Sequence, residues 1–286
     1  MTIREILCEA TQKLEAGAID SARLDAEVLL AYCLGCDRME FMKNPEMTVA
    51  EGTQAEFQAL ITRRLSFEPV AYITGQKAFW TFALEVNPDV LIPRPDTEVL
   101  VEEALACLRE AGLDAPRIVD IGTGSGAIAM ALAAELPDAD VTATDLSSAA
   151  LLVAQRNARI YWLEGRIDFR AGDLFDPVEG LFDLIVSNPP YIGQEEYETL
   201  PAGVRNFEPE AALLAGQTGL EFYEKLVYQA QSRLKPEGWL LLEIGAAQGK
   251  QVLQIMEQAG GYDRIAIRAD YAGLPRVLKG RRKIIG

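Results

Sequence analysis

Histidine is missing altogether from the 286 residues of this chain. Its absence excludes Ser-His-Asp hydrolysis, histidine-ligated zinc and imidazole acid–base chemistry. Cysteine is scarce, with only Cys8, Cys33, Cys36 and Cys107. Cys33-Leu-Gly-Cys36 has the spacing of a redox or metal pair, yet no second pair accompanies it and it closes a helical pattern. All four are read as free thiols packed as small buried hydrophobes, which suits a reducing compartment. No apolar run is long enough to cross a bilayer. Met1-Thr-Ile-Arg-Glu-Ile-Leu7 carries charge from its fourth residue, where a signal peptide needs an apolar core. A cytoplasmic protein with no membrane partner and no metal is expected. Positive charge is also short: 27 Lys and Arg face 43 Asp and Glu, a net charge of −16. That balance opposes a protein that grips a nucleic-acid backbone through counterion release, so no direct nucleic-acid partner is expected. Gly280-Arg-Arg-Lys283 is the one basic cluster of note, and it reads as a solvated chain end.

What is present is a globular composition, 49% hydrophobic and 24% charged, enough for one large domain or two smaller ones. Residues 1–70 carry three apolar stripes at helical spacing: Ile3, Ile6, Leu7, Ala10 and Leu14; Leu24, Val28, Leu29 and Tyr32 after an Asp20 or Ser21 cap; and Phe57, Leu60, Ile61 and Leu65. They hold no catalytic constellation and predict a small helical domain that binds a partner. Residues 71–95 change texture. Gly75-Gln-Lys-Ala-Phe-Trp-Thr-Phe-Ala-Leu-Glu-Val86 is aromatic and partly alternating, and with Val90-Leu-Ile it predicts a β-hairpin linker. Residues 96–286 then alternate strand and helix, the pattern of a mostly parallel sheet in an α/β domain. Asp96 caps the first helix in this reading, and Arg94 before it is taken as a surface residue. The closing segments, Ile265–Arg268 and Pro275–Lys279, predict a terminal hairpin.

One stretch organises the rest. Phe182-Asp-Leu-Ile-Val-Ser-Asn-Pro-Pro-Tyr191 is a buried strand that two successive prolines bring to a halt, because neither can donate to a ladder. Asn188, Pro189, Pro190 and Tyr191 therefore form a rigid turn outside the carboxyl end of a strand, where open α/β sheets bind ligands. The Asn188 amide oxygen and the Pro189 carbonyl are acceptors, and the Tyr191 ring is a flat face. The set describes a socket for a planar, conjugated NH2 group. Such a nitrogen is a poor nucleophile. Two acceptors on its N–H bonds aim its lone pair at an electrophile, and the proton leaves readily after alkylation.

A second turn supplies the electrophile's holder. Gly122-Thr123-Gly124-Ser125-Gly126 follows the first strand, and Asp145 ends the next strand about twenty residues on, placed for both hydroxyls of a ribose. This spacing also fits a dinucleotide fingerprint, so a nicotinamide-dependent oxidoreductase stays open on these residues alone. Three features favour S-adenosylmethionine. Asp120 precedes the first glycine, where it meets an ammonium or its water shell. Asp173 and Leu174 end the third strand, placed for the amine and the face of an adenine. Asn188 closes the site beside both the cofactor and the NH2 acceptor.

Ile118-Val-Asp-Ile-Gly-Thr-Gly-Ser-Gly126, Asp145-Leu-Ser, Gly172-Asp-Leu-Phe175 and Val186-Ser-Asn-Pro-Pro-Tyr-Ile192 resemble the class I methyltransferases of the Asn-Pro-Pro-Tyr subclass. That subclass includes enzymes for adenine N6, guanine N2 and protein glutamine, and the motif does not separate them. Gly75-Gln-Lys-Ala-Phe-Trp80, Pro93-Arg-Pro-Asp-Thr-Glu98, Asn206-Phe-Glu-Pro209, Leu241-Leu-Glu-Ile-Gly245 and Asp270-Tyr-Ala-Gly-Leu-Pro-Arg-Val277 resemble the peptide chain release factor N5-glutamine methyltransferases, the HemK/PrmC family, over essentially the whole chain. The resemblance implies a Rossmann-like class I S-adenosylmethionine-dependent fold with a terminal antiparallel strand and a helical N-terminal domain. It also implies methylation of the glutamine in the Gly-Gly-Gln motif of release factors, with S-adenosyl-L-methionine as cofactor and the helical domain helping to hold the release factor.

Overall fold

Thr2 opens the first helix with a reciprocal cap. Its hydroxyl accepts the N–H of Glu5 while the Glu5 carboxylate accepts the N–H of Thr2, so two donors that a helix start leaves orphaned are satisfied. The computed structural model describes residues 1–284. Its chain divides into two compact units: Met1–Gln76 with Pro201–Phe207, and Lys77–Leu200 with Glu208 onward.

The first unit holds α1 (Ile3–Ala16), α2 (Ala22–Leu34), α3 (Met39–Lys43), α4 (Glu51–Leu65) and α5 (Val70–Thr74). The stripe Ile3, Ile6, Leu7, Ala10 and Leu14 is buried and packs with Leu29, Leu30, Phe57 and Ile61. Those inward positions leave Cys8 on the outer face of α1, exposed, while Cys33 and Cys36 are half-buried and only Cys107 is fully enclosed. The expectation of four buried thiols therefore holds for one. Ser21 heads α2 without capping it, because its hydroxyl donates to the Asp25 carboxylate instead.

In the second unit β1 (Gln76–Phe79) and β2 (Phe82–Glu85) make the expected hairpin, turning at Trp80 with a φ of 54°. It is no free-standing linker, since Phe79, Phe82 and Leu84 are buried in the core of this unit beside α6 (Glu98–Glu110). Val90–Ile92 is irregular rather than a third strand. Pro95–Thr97 is a single 3-10 turn ahead of α6, so Asp96 does not cap the helix and its carboxylate pairs with Arg276 at 3.2 Å.

The central sheet is built from β3 (Arg117–Ile121), β4 (Asp140–Asp145), β5 (Ile167–Ala171) and β6 (Phe182–Ser187). After the short pair β7 (Ile192–Gly193) and β8 (Leu214–Gly216), between which the chain forms the short helices α9 (Gln194–Glu198) and α10 (Ala202–Arg205), it continues with β9 (Leu234–Glu243), β10 (Tyr262–Ala269) and β11 (Pro275–Arg282). Its order is β5-β4-β3-β6-β9-β11-β10, with β10, β11 and β9 antiparallel and the rest parallel. Along β3, Ile118 faces a core shared with α6 and α7 (Ala127–Glu135), whereas Val119 and Ile121 face one shared with α11 (Glu221–Ala230) and α12 (Gly249–Ala259). Both faces are covered, which is why the strands read as continuous apolar runs. The basic cluster near the C-terminus is not a solvated end: Arg281 lies in β11 and binds Asp263 at 2.9 Å and Glu237 at 2.8 Å. The last two positions of the segment 96–286 lie outside the described residues.

The chain runs outward from β3 through β4 to β5, then crosses to β6 on the other side of β3. That reversal opens a crevice at the carboxyl ends of β3, β4 and β6. Helix α8 (Ser148–Ile160), capped by the Ser147 hydroxyl on the Ala150 N–H, follows β4 beside it.

Candidate active site

A cavity of about 300 Å³ occupies this crevice. Its floor is the glycine turn. The N–H groups of Gly122 and Thr123 donate to the Thr144 carbonyl at 2.9 and 2.8 Å, and Asn157 of α8 donates to the Ser125 carbonyl at 2.9 Å. Gly122 and Gly124 have φ of 74° and 56°, and a Cβ at either would meet no protein atom within 4 Å. Backbone conformation demands glycine there, and the space beside it is left open to a ligand. Gly126 differs: it does not line the cavity, and a Cβ there would come within 3.1 Å of Ala154. Its role is close packing of the turn against α8.

Asp145 forms the wall at the end of β4. Its Oδ2 accepts the Gly124 N–H and its Oδ1 the Ser147 N–H, both at 2.8 Å. One backbone donor per oxygen leaves each with a further acceptor position, which is what two vicinal hydroxyls need. Burial raises the Asp145 carboxyl above its usual range, against the pull of those two N–H groups. Gly172, Asp173 and Leu174 continue the lining. Leu174 has a φ of 42°. That left-handed conformation is costly for a leucine and is the kind of strain held at ligand sites.

Asp120 is placed otherwise than the sequence suggests. It is fully buried beneath the turn and outside the cavity lining. Its Oδ2 accepts the Thr123 hydroxyl at 2.6 Å, and its Oδ1 has no partner. Burial pushes its carboxyl up to about 7, and the nearby Asp145 adds to the rise. A carboxyl raised in the folded state gives stability that is complete below its unfolded value, near 3.8, and is lost as pH climbs through about 7. Asp120→Asn stays neutral throughout and keeps an acceptor for Thr123. It should stabilise the protein by about 1–3 kcal/mol at pH 8, net of its own unsatisfied N–H. Thermal unfolding at pH 4.5 and pH 8 checks this, with the gain present at pH 8 and nearly absent at pH 4.5.

The opposite wall is Asn188-Pro189-Pro190. Ser187 ties the end of β6 to β3 by donating to the Ile121 carbonyl at 2.7 Å. The Asn188 Nδ2 donates to the Thr97 hydroxyl at 3.3 Å, which leaves Oδ1 as its acceptor. Among the described residues no N–H or O–H donates to the carbonyl of Pro189 or Pro190. Tyr191 does not line the cavity. It packs against the core beside α11, where burial pushes its hydroxyl up to about 12. Its carbonyl accepts the Gln248 Nε2 at 2.8 Å, bracing the turn from behind. Gly219 stands against the same carbonyl, which a Cβ there would approach to 2.5 Å.

Several of these residues carry no local signal. Arg94 lines the cavity instead of the surface, and its guanidinium meets the buried Glu208 at 2.5 Å. Glu208 also accepts the Ile92 N–H at 3.1 Å, so it clasps the segment 90–94 to the wall at Pro209. Thr97, Glu208 and Glu243 come from the very segments that carry the family resemblance, Pro93–Glu98, Asn206–Pro209 and Leu241–Gly245. Thr97 lines the cavity, and Glu208 binds Arg94, which lines it too.

Known proteins share this arrangement along the chain. The PrmC N-terminal domain family matches residues 5–75 and the methyltransferase small domain family residues 97–207. The release factor glutamine methyltransferase of Nitratidesulfovibrio vulgaris is 40% identical over 287 residues, spanning 99% of this chain and 96% of its own length. The chain belongs to the release factor glutamine methyltransferase family. A further member, from Moorella thermoacetica, is 42% identical over 99% of both chains. Among solved structures, a methyltransferase from Pyrococcus furiosus aligns with a TM-score of 0.52 at 22% identity, covering 79% of this chain and 98% of its own. That likeness concerns the methyltransferase fold, a parallel sheet with an antiparallel edge.

Proposed function

We propose that this protein methylates the side-chain amide nitrogen, N5, of the glutamine in the Gly-Gly-Gln motif of peptide chain release factors, using S-adenosyl-L-methionine. The carrying observation is the Asn188-Pro189 wall. One amide oxygen and the carbonyls beside it are left as acceptors, facing a cavity whose other wall is a carboxylate with room for two hydroxyls. Gly122, Gly124, Asp145, Asp173 and Leu174 fit the cofactor, because the open flank of the turn and the free acceptor positions of Asp145 match an amino acid tail and a ribose. S-adenosylmethionine supplies an electrophilic methyl group on a sulfonium.

The chain's own residues do the rest. Asn188 and the Pro189 carbonyl each take one N–H of the target amide, which fixes the plane of the NH2 group and turns its lone pair toward the cofactor side. Proton loss after transfer needs no strong base, since an alkylated amide nitrogen is acidic. The rigid prolines keep both acceptors in place before the substrate arrives. The helical unit, 1–76, offers no catalytic group, and its role is to hold the release factor. A cytoplasmic setting follows from that substrate.

Mass spectrometry of a release factor incubated with the protein and S-adenosylmethionine tests the reading. A single added methyl on the Gly-Gly-Gln peptide is expected. Methylation of nucleic acid or of a ribosomal-protein glutamine, with the release factor untouched, would replace it.

A further inference from the structure

Glu243 is an acid that closes the apolar run Trp239–Leu242 of β9, and only 1% of it is exposed. It lies on β9 one residue beyond Leu242, which pairs with Ser187, and opposite Val277 of β11. It does not line the cavity, but Asn188 and Thr97 do, bonded to each other at 3.3 Å, and both favour its charged form. Its Oε2 is enclosed and meets no donor. Arg276 is the cation that acts on it, yet its guanidinium is held by Asp270 at 3.0 Å and Asp96 at 3.2 Å. A buried carboxylate left this poorly compensated is expensive, and nothing in the packing of β9 requires it.

A carboxylate is all acceptor. Neighbours that face it are stable only when they present donors, so it selects one of the two ways an asparagine amide can lie. With Nδ2 toward Glu243 and Thr97, Oδ1 faces the cavity. In the flipped state Oδ1 would stand against Glu243 and the NH2 would face the incoming NH2, donor against donor. We propose that Glu243 is the positioning residue of the acceptor clamp: with Thr97, it fixes the Asn188 amide so that Oδ1 faces the substrate nitrogen. This rests on the reading of Asn188 as the amide-binding residue. Only the ionised form selects fully, because a protonated carboxyl also offers a donor.

Burial pushes the Glu243 carboxyl up to about 7, and Asp96 raises it further while Thr97, Arg276 and Asn188 oppose the rise. Tyr191 and Tyr223 also face it, both with hydroxyls raised by burial and so neutral across this range. The selection should therefore fade as pH falls through about 7.

Glu243→Gln tests this in the full-length protein. It keeps size and shape but offers both a donor and an acceptor, so both amide orientations become populated. The turnover number kcat on release factor should fall about 10-fold or more, with KM for the release factor and Kd for S-adenosylmethionine within about twofold of wild type. In an Asn188→Ala background the same change should cost nothing further. A packing role would instead lower both backgrounds alike, and unchanged turnover in Glu243→Gln would overturn the proposal outright. A second readout needs no substrate. The Asn188 side-chain NH2 signals of the wild-type protein, assigned by their loss in Asn188→Ala, should shift in a pH titration with a midpoint near 7. Signals flat from pH 5.5 to 8.5 would rule out the contact. Because that titration involves no release factor, it separates failure of the positioning role from failure of the proposed substrate.

Discussion

Asn188→Ala is expected to lower turnover of the release factor glutamine by about 10²–10³, the usual effect of removing one preorganised hydrogen-bonding partner of a reacting group. The Asn188 amide is fixed before substrate arrives, since Nδ2 is occupied by Thr97 and the two prolines that follow cannot relax the turn. Truncation leaves the Pro189 carbonyl to hold the amide alone, free to rotate about that single contact. Affinity for S-adenosylmethionine should change far less, because the ribose and adenine contacts proposed above fall to Asp145, Asp173 and Leu174. Asn188→Asp is the more telling variant. It keeps one acceptor oxygen toward the cavity but puts its other oxygen where Nδ2 meets Thr97, a second carboxylate beside Glu243, so the pair will share a proton at neutral pH. Cofactor binding persists and methylation falls. Steady-state methylation with isothermal calorimetry of cofactor binding checks both variants, and near-normal turnover by Asn188→Ala would place the acceptor site elsewhere.

Asp145→Ala should weaken S-adenosylmethionine binding by roughly 2–4 kcal/mol, the loss of two charge-assisted hydrogen bonds. The structure adds a second reason for a large effect. The same carboxylate accepts the Gly124 N–H, so its removal also loosens the turn on which the rest of the cofactor lies. Asp145→Asn should be nearly as damaging. One of its two polar atoms becomes an NH2, and that NH2 must face either the Gly124 or the Ser147 N–H, both donors. Calorimetry measures the loss directly. Tight NAD binding with none of S-adenosylmethionine would sink the methyltransferase chemistry altogether.

The parts of the site that the sequence displays are those made by one contiguous stretch. The glycine turn, the Asp145 strand end and the Asn-Pro-Pro halt are each local patterns with a local physical cause, and the parallel sheet follows from strand–helix alternation. The rest depends on contacts across long separations. Asn188 meets Thr97 across 91 residues, Arg94 meets Glu208 across 114, and Gln248 meets Tyr191 across 57. No periodicity encodes those pairings. Glu243 does leave a trace, as an acid closing the apolar run Trp239-Leu-Leu-Leu. Asp120 leaves a misleading one, because its position before Gly122 suggests ligand contact while its carboxylate instead accepts the Thr123 hydroxyl. The pair β7 and β8 escapes prediction for a simpler reason, since strands of two and three residues show no alternation.

The ionisable lining of the cavity is lopsided. Asp89, Asp145 and Asp173 face it with Arg94 as the opposing cation, and Arg94 is already neutralised by Glu208. The space is thus a basin of negative potential within a chain whose net charge is −16. Such a field tells a ligand before the reaction from the same ligand after it. A sulfonium cofactor enters with one net positive charge, and the thioether left behind has none, so the basin holds the spent molecule less firmly than the fresh one. In the reaction proposed above, the surplus of acid that counts against a nucleic-acid partner thereby favours release of the spent cofactor, since each turnover abolishes the charge that retained it.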